Sequence, residues 1–201
     1  MRGRTKPKID SRARVLDGAA EEFASHGYAG ARIQRIARRT RLNVRMLYYH
    51  FGSKKGLYSA VLEAIYEEAA KILDLTARAE DPTQAALALY VDFLVENPRF
   101  ARVLARELLD GASHLRTLFA GRPELFIRVH ANTHQLLGSA MKAGLLRHED
   151  PALTVFSLTS SLCFLTAIRA SYPSFSATKP PSAGAWKAHL VRLLFDGLRT
   201  R

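Results

Sequence analysis

The run Val44-Arg45-Met46-Leu47-Tyr48-Tyr49-His50-Phe51, with Lys54 close behind, gathers groups suited to gripping a polyanion. A guanidinium presents paired donors that match the acceptor edge of guanine. Phenol, imidazole and ammonium groups donate to phosphate oxygens. Such contacts recognise a partner; they break no bond. Groups that would break bonds are not arranged to do so. The sequence holds no P-loop, no GxSxG, no GxGxxG and no clustered carboxylates, and its Ser, His and Asp residues have no triad spacing. His130 and His134 stand at i, i+4, a spacing able to chelate a metal on one helix face. Residues 131 to 133 are Ala-Asn-Thr, so the HExxH pattern is absent, and no cysteine lies nearby. Neither an enzyme, a metal site nor a cofactor is expected.

Charge distribution supports a polyanionic partner. The chain carries a net charge of +12 over 201 residues. Residues 1 to 58 hold 14 Lys/Arg and 4 Asp/Glu, whereas the rest holds 16 and 14. Nearly all the excess sits in the first 58 residues, and such a field attracts nucleic acid. A basic membrane-surface helix would need one long amphipathic stripe; here the basic residues lie on short helices. Composition is otherwise ordinary, with 48% hydrophobic and 24% charged residues. One cysteine, Cys163, precludes an internal disulfide and fits a reducing compartment. No apolar run reaches the roughly 18 to 20 residues that span a bilayer. Residues 15 to 24 include Asp17, Glu21 and Glu22, so the basic N-terminus lacks the apolar stretch of a signal peptide. A cytoplasmic location with no membrane partner is expected.

Helical elements must position these groups. Residues 1 to 9 read as a basic, disordered arm. Asp10 or Ser11 can cap a first helix that ends at Gly27. Ile33, Ile36 and Ala37 give a short second helix its apolar stripe. Asn43 can cap a third, with Val44, Leu47 and Phe51 on its inner side. Ser53 opens a long fourth helix. Asp81-Pro82, Asn97-Pro98 and Asp150-Pro151 each place a capping side chain before a proline at the first helical position. Further helices cover about 122 to 143, 150 to 172 and 184 to 199. Alternating β-branched runs are absent. The chain therefore reads as all-α, with about nine helices: a three-helix head at 10 to 56 and a larger body at 57 to 201.

Two short helices joined by a tight turn, the second opening at Asn43, make a helix-turn-helix. The second helix places Val44, Arg45, Met46 and Tyr49 at base edges, with Arg45 the best match for guanine. Tyr48, His50 and Lys54 fall where backbone phosphates would pass. Four successive rings, Tyr48 to Phe51, spread through about 300° of a helix, so one or two of them must be exposed. Arg35, Arg38, Arg39 and Arg41 lie on the preceding helix and turn.

The segment IARRTRLNVRMLYYHFGSKKGLY, preceded by FASHGYAG, resembles the N-terminal domain of the TetR family of transcriptional regulators across residues 10 to 60. The chain departs from that pattern in four places. Ala31 and Arg32 stand where the family has hydroxyl residues, Arg41 replaces the turn glycine, and Arg45 replaces a small residue. Arg32 then supplies by charge the phosphate contact a hydroxyl would make. The resemblance implies a repressor that binds a palindromic double-stranded DNA operator and is released by a small-molecule effector. It also implies a homodimer built through the last two long helices. The stretches NPRF…ELLDGASHL and GLLRHEDPALTVF are similar to the pyrimidine-utilisation repressor branch. Polar residues on otherwise apolar body helices are candidates for an effector pocket: Tyr90, Arg106, Glu107, His130, Asn132, His134, Thr159 and Arg169. Arg106 and Arg169, if buried, point to an acidic effector.

Overall fold

The computed structural model describes residues 8–179 and 181–199, with side chains from Arg12 onward. Most of the expected arm, residues 1–7, lies outside them; Lys8 and Ile9 already belong to the first helix. Eleven α-helices follow in order: α1 Lys8–Gly30, α2 Ile33–Thr40, α3 Val44–Phe51, α4 Lys54–Thr76, α5 Pro82–Glu96, α6 Pro98–Leu109, α7 Ser113–Gly121, α8 Pro123–Phe126, α9 Asn132–Lys142, α10 Pro151–Ala167 and α11 Ala183–Val191. The described residues contain no strand, only one isolated bridge between Leu146 and Arg199.

Local signals explain most of these boundaries. Asn43, Ser53, Asp81 and Asp150 each accept a hydrogen bond from the backbone N–H three residues on. Asn97 is an exception: its side chain makes no cap and donates instead to the carbonyl of Phe93. Gly27 breaks α1 at φ 67°, ψ 175°, and the chain then completes one more turn to Gly30.

Two departures raise the expected nine helices to eleven. The helix expected at 122 to 143 is split, because residues Ile127–Ala131 form a π-helical turn between α8 and α9. α7 was not expected at all. Its N-cap residue, Ala112, is left-handed and offers no side-chain cap. The buried Glu107 on α6 replaces it, accepting from the N–H groups of His114 and Leu115 at 2.8 and 3.1 Å.

The head is held by the same device. Arg32 precedes α2 and supplies no side-chain cap. The buried Glu22 on α1 accepts from the Arg32 N–H at 3.0 Å and from Arg35 Nε at 2.5 Å. A distant carboxylate thus meets both the orphan donors and the positive end of the α2 dipole. Phe23, Ile36, Leu47 and Leu57 close the core between α1, α2, α3 and α4.

The head is not a detached module. α4 runs from the recognition unit into the body. α1 lies along α6, where Arg99 pairs with Asp17, Arg102 approaches Glu21 and Arg106 reaches the carbonyl of Ser25. Tyr58 of α4 donates to Glu107 at 3.0 Å. The Tyr58 ring also packs with Phe23, Tyr28 and His114, which joins head to body at one aromatic cluster.

Burial of the Glu22 carboxyl pushes its pKa up. The hydrogen bonds from Arg32 and Arg35, with the charges of His26 and Arg35, outweigh this and leave it below its ordinary 4.5. A depressed carboxyl contributes stability above its unfolded pKa and loses it as pH falls through the folded value. Glu22→Gln is expected to cost about 1–3 kcal/mol at pH 7 and to flatten the acid limb of stability below about pH 4.5. Urea melts across pH check this. A variant as stable as the parent at pH 7 would show that Glu22 does not hold α2.

Candidate nucleic-acid interface and interior cavity

α3 is short, capped and fixed from behind. Asn43 Oδ1 accepts from the Met46 N–H at 2.8 Å, and Leu47 is buried against the head core. Its outer face carries Arg45, Met46, Tyr48, Tyr49 and His50, all exposed, with Tyr49 at 81%. Val44 differs. It is half-buried against the core, so its role is to seat the helix as well as to face outward. Arg32, Arg38, Arg39, Arg41 and Lys55 are exposed nearby, and no carboxylate among the described residues pairs with them. Arg35 is different again. Besides Glu22, it binds the carbonyl of Gly30 at 2.8 Å, so its guanidinium is committed within the head.

The turn between α2 and α3 needs a left-handed residue. Arg41 takes that conformation at φ 57°, ψ 36°, and its N–H and that of Leu42 close onto the carbonyls of Arg38 and Ala37. A side chain there costs about 1–2 kcal/mol. The next turn, into α4, depends on Gly56. A Cβ at that position would stand 2.0 Å from the Phe51 carbonyl oxygen. Only glycine lets the end of α3 sit that close to the first turn of α4. Lys54 braces the same corner: its ammonium donates to the Ala29 carbonyl at 3.0 Å and lies over the Tyr28 ring at 4.9 Å.

The body holds a partly open cavity of about 120 Å³ between α4, α5, α9 and α10. A second lobe of about 130 Å³ adjoins it and shares Tyr66, Leu104, His130, Val155 and Thr159. The π-helical turn brings His130 into both lobes, where its ring packs against Tyr66, Phe119 and Phe126. Its Nε2 is buried with no hydrogen-bond partner. Burial and then the neighbouring His134 lower its pKa below the ordinary 6.5. The Tyr90 hydroxyl meets only the Cys163 sulfur, at 3.9 Å. Burial pushes the phenols of Tyr66 and Tyr90 well above their ordinary range and the Cys163 thiol up to about 11.

Five of the eight pocket candidates therefore need placing or correcting. His134 lines only the second lobe, and Asn132 lines neither. Arg106 is not a cavity residue: it is exposed and reaches α1. Glu107 is buried at the junction with the head, where it caps α7 and binds Tyr58 and His114. Arg169 donates to the Pro181 carbonyl in the loop before α11. Arg106, Glu107 and Arg169 each tie one element to another. Tyr90, His130 and Thr159 do line the cavity. Among the described residues, no group of three or more His, Cys, Asp or Glu side chains could hold a metal ion, and no helix is long and apolar enough to cross a membrane.

Comparison with known proteins agrees with this architecture. Residues 15–61 match the model of bacterial regulatory proteins of the tetR family. The chain is 31% identical to the transcriptional repressor NicS of Pseudomonas putida over 206 residues, covering 94% of this chain and 92% of that one. It is 29% identical to the transcriptional regulator RutR of Escherichia coli, over 73% and 69% of the two chains. The crystal structure of PfmR from Thermus thermophilus, a TetR family regulator, superposes with a TM-score of 0.67 over 93% of this chain and all of that one, at 20% identity.

The strained turn gives a direct test of the local geometry. Arg41→Gly is expected to relieve the left-handed side chain. Glycine's greater freedom in the unfolded state returns part of that gain, leaving a net stabilisation of up to about 1 kcal/mol. Thermal or urea melts measure it, and a clear loss of stability would show that the Arg41 side chain makes compensating contacts.

Proposed function

Because this chain belongs to the TetR family of bacterial regulatory proteins, we propose that it represses transcription from a palindromic operator and lets go when a small molecule occupies the body. It is a sequence-specific DNA-binding regulator. One observation supports the reading most: a rigid α3 whose outer face is exposed and unpaired, surrounded by guanidiniums with no carboxylate partner. In it Arg45, Met46 and Tyr49 read base edges, with Val44 at the margin. Arg32, Tyr48 and His50 hold phosphates. Lys54 adds its charge at the α4 N-terminus while bracing α1.

A two-fold partner places two such helices about 34–36 Å apart, one turn of DNA. α10 and α11 suit that role. Leu153, Phe156 and Phe164 on α10 and Leu193 after α11 are exposed, with Phe156 at 65%. Four large apolar side chains left in water favour burial by a second copy.

The cavity is tied to α4 by charge. Arg122 pairs with Glu63 and Glu67, and Arg128 with Glu67 and Asp74, at 3.2 and 2.9 Å for the latter two. Arg122 stands just before α8, and Arg128 lies in the π-helical turn that also carries His130. A ligand that moves the turn draws on α4, and α4 starts where α3 ends. The operator-competent spacing is then lost by population shift.

Two experiments test this function. Operator and unrelated duplexes are compared by fluorescence anisotropy. Arg45→Ala is expected to cost about 1–3 kcal/mol on the operator alone, whereas Arg32→Ala weakens every duplex alike and lowers the salt slope by about one. Equal losses on all duplexes for both variants would remove Arg45 as the base reader. Separately, Phe156→Glu with Phe164→Glu is expected to give a folded monomer in sedimentation, with operator affinity down at least roughly tenfold. A dimeric double variant would place the interface elsewhere.

A further inference from the structure

Neither lobe of the cavity is lined by a carboxylate, an ammonium or a guanidinium. Its phenols and thiol stay protonated at neutral pH, and burial keeps His130 neutral there. The arginines that suggested an acidic effector lie outside it, held at α1 and at the loop before α11. An anion brought inside would lose much of its hydration with no permanently charged side chain to replace it, which disfavours the charged form. A neutral ligand escapes that cost and gains from the apolar walls supplied by α4, α9 and α10.

One polar group is left wanting. His130 Nε2 is buried and unpartnered, and three aromatic rings fix the imidazole plane. An unmet buried polar atom is costly, and a ligand hydrogen bond recovers that cost. Nε2 donates in one tautomer and accepts in the other; a ligand hydroxyl answers either. Size is set by the lobes, about 120 and 130 Å³. A dry apolar cavity of about 150 Å³ takes a benzene ring, so two joined lobes accept one or two rings.

We propose that the body binds an uncharged compound of one or two largely apolar rings, whose single polar group hydrogen-bonds His130 Nε2. This rests on the effector role given to the cavity above, and it excludes carboxylate and phosphate effectors. His130 sets specificity within the class, and the absence of charge sets the class.

Three probes of one shape separate the terms: 1-naphthol, naphthalene and 1-naphthoate. Each is titrated calorimetrically into the full chain without DNA, near neutral pH. The expected order is 1-naphthol tightest, naphthalene about three- to tenfold weaker, and 1-naphthoate at least tenfold weaker than 1-naphthol. His130→Phe should bring 1-naphthol to the naphthalene affinity and leave naphthalene unchanged. Leu136→Trp, which fills the first lobe, should abolish binding of both with helicity retained, and it serves if the His130 variant does not fold. Tighter binding of 1-naphthoate, no binding of 1-naphthol, or 1-naphthol binding that neither variant changes would overturn the proposal. Because no DNA is present, such a failure leaves operator recognition standing; loss of operator recognition would equally leave the cavity result intact.

Discussion

A buried carboxylate on α1 holds the recognition unit in shape. Glu22 does what the missing hydroxyl at position 32 would do, and more: it accepts from the Arg32 N–H, pairs with Arg35 and sits at the positive end of α2. A buried charge without partners would be strongly destabilising; one with two donors and a helix dipole is held in place. The orientation of α2 follows from it. α3 inherits that orientation through the Arg41 turn, and Gly56 then fixes how closely α3 meets α4.

Glu107 repeats the arrangement at the other end of the junction. It caps α7 from α6 and takes the Tyr58 hydroxyl from α4. Three routes therefore run from body to head: α4 itself, the α1–α6 ion pairs, and the Tyr28–Tyr58–His114 cluster. α6 also lends Leu104 to both lobes of the cavity. A rearrangement at the cavity cannot leave these contacts untouched, because a packed interior shifts between discrete arrangements and does not yield smoothly. That supplies a physical basis for linking occupancy of the body to the spacing of the recognition helices.

The head was legible in sequence because its signals are local. Asn43 and Ser53 announce its helix starts by the side chain that caps them, as Asp81-Pro82 and Asp150-Pro151 do in the body. LYYHFGSKKGLY carries the family resemblance in one uninterrupted run. What sequence did not show is non-local. α7 starts at a residue that cannot cap it, since the cap arrives from Glu107. The π-helical turn at Ile127–Ala131 has no signature in its residue types, yet it aims His130 inward. Arg106, Glu107 and Arg169 drew attention as polar residues on apolar helices, a pattern that bonds between elements produce as readily as a pocket does. Gly56 was visible only as a letter; the nearness of the Phe51 carbonyl gives it meaning.

The proposed function requires α3, presented twice by a symmetric dimer, to read a defined DNA sequence. Selection of bound duplexes from a random pool, followed by footprinting of the winners, tests it most directly. The expected winners carry an inverted repeat whose half-sites are centred about one helical turn, 10–10.5 base pairs, apart. Retention of the pool without enrichment, with uniform affinity that simply decays with salt, would contradict that reading and leave the basic head as a nonspecific anchor.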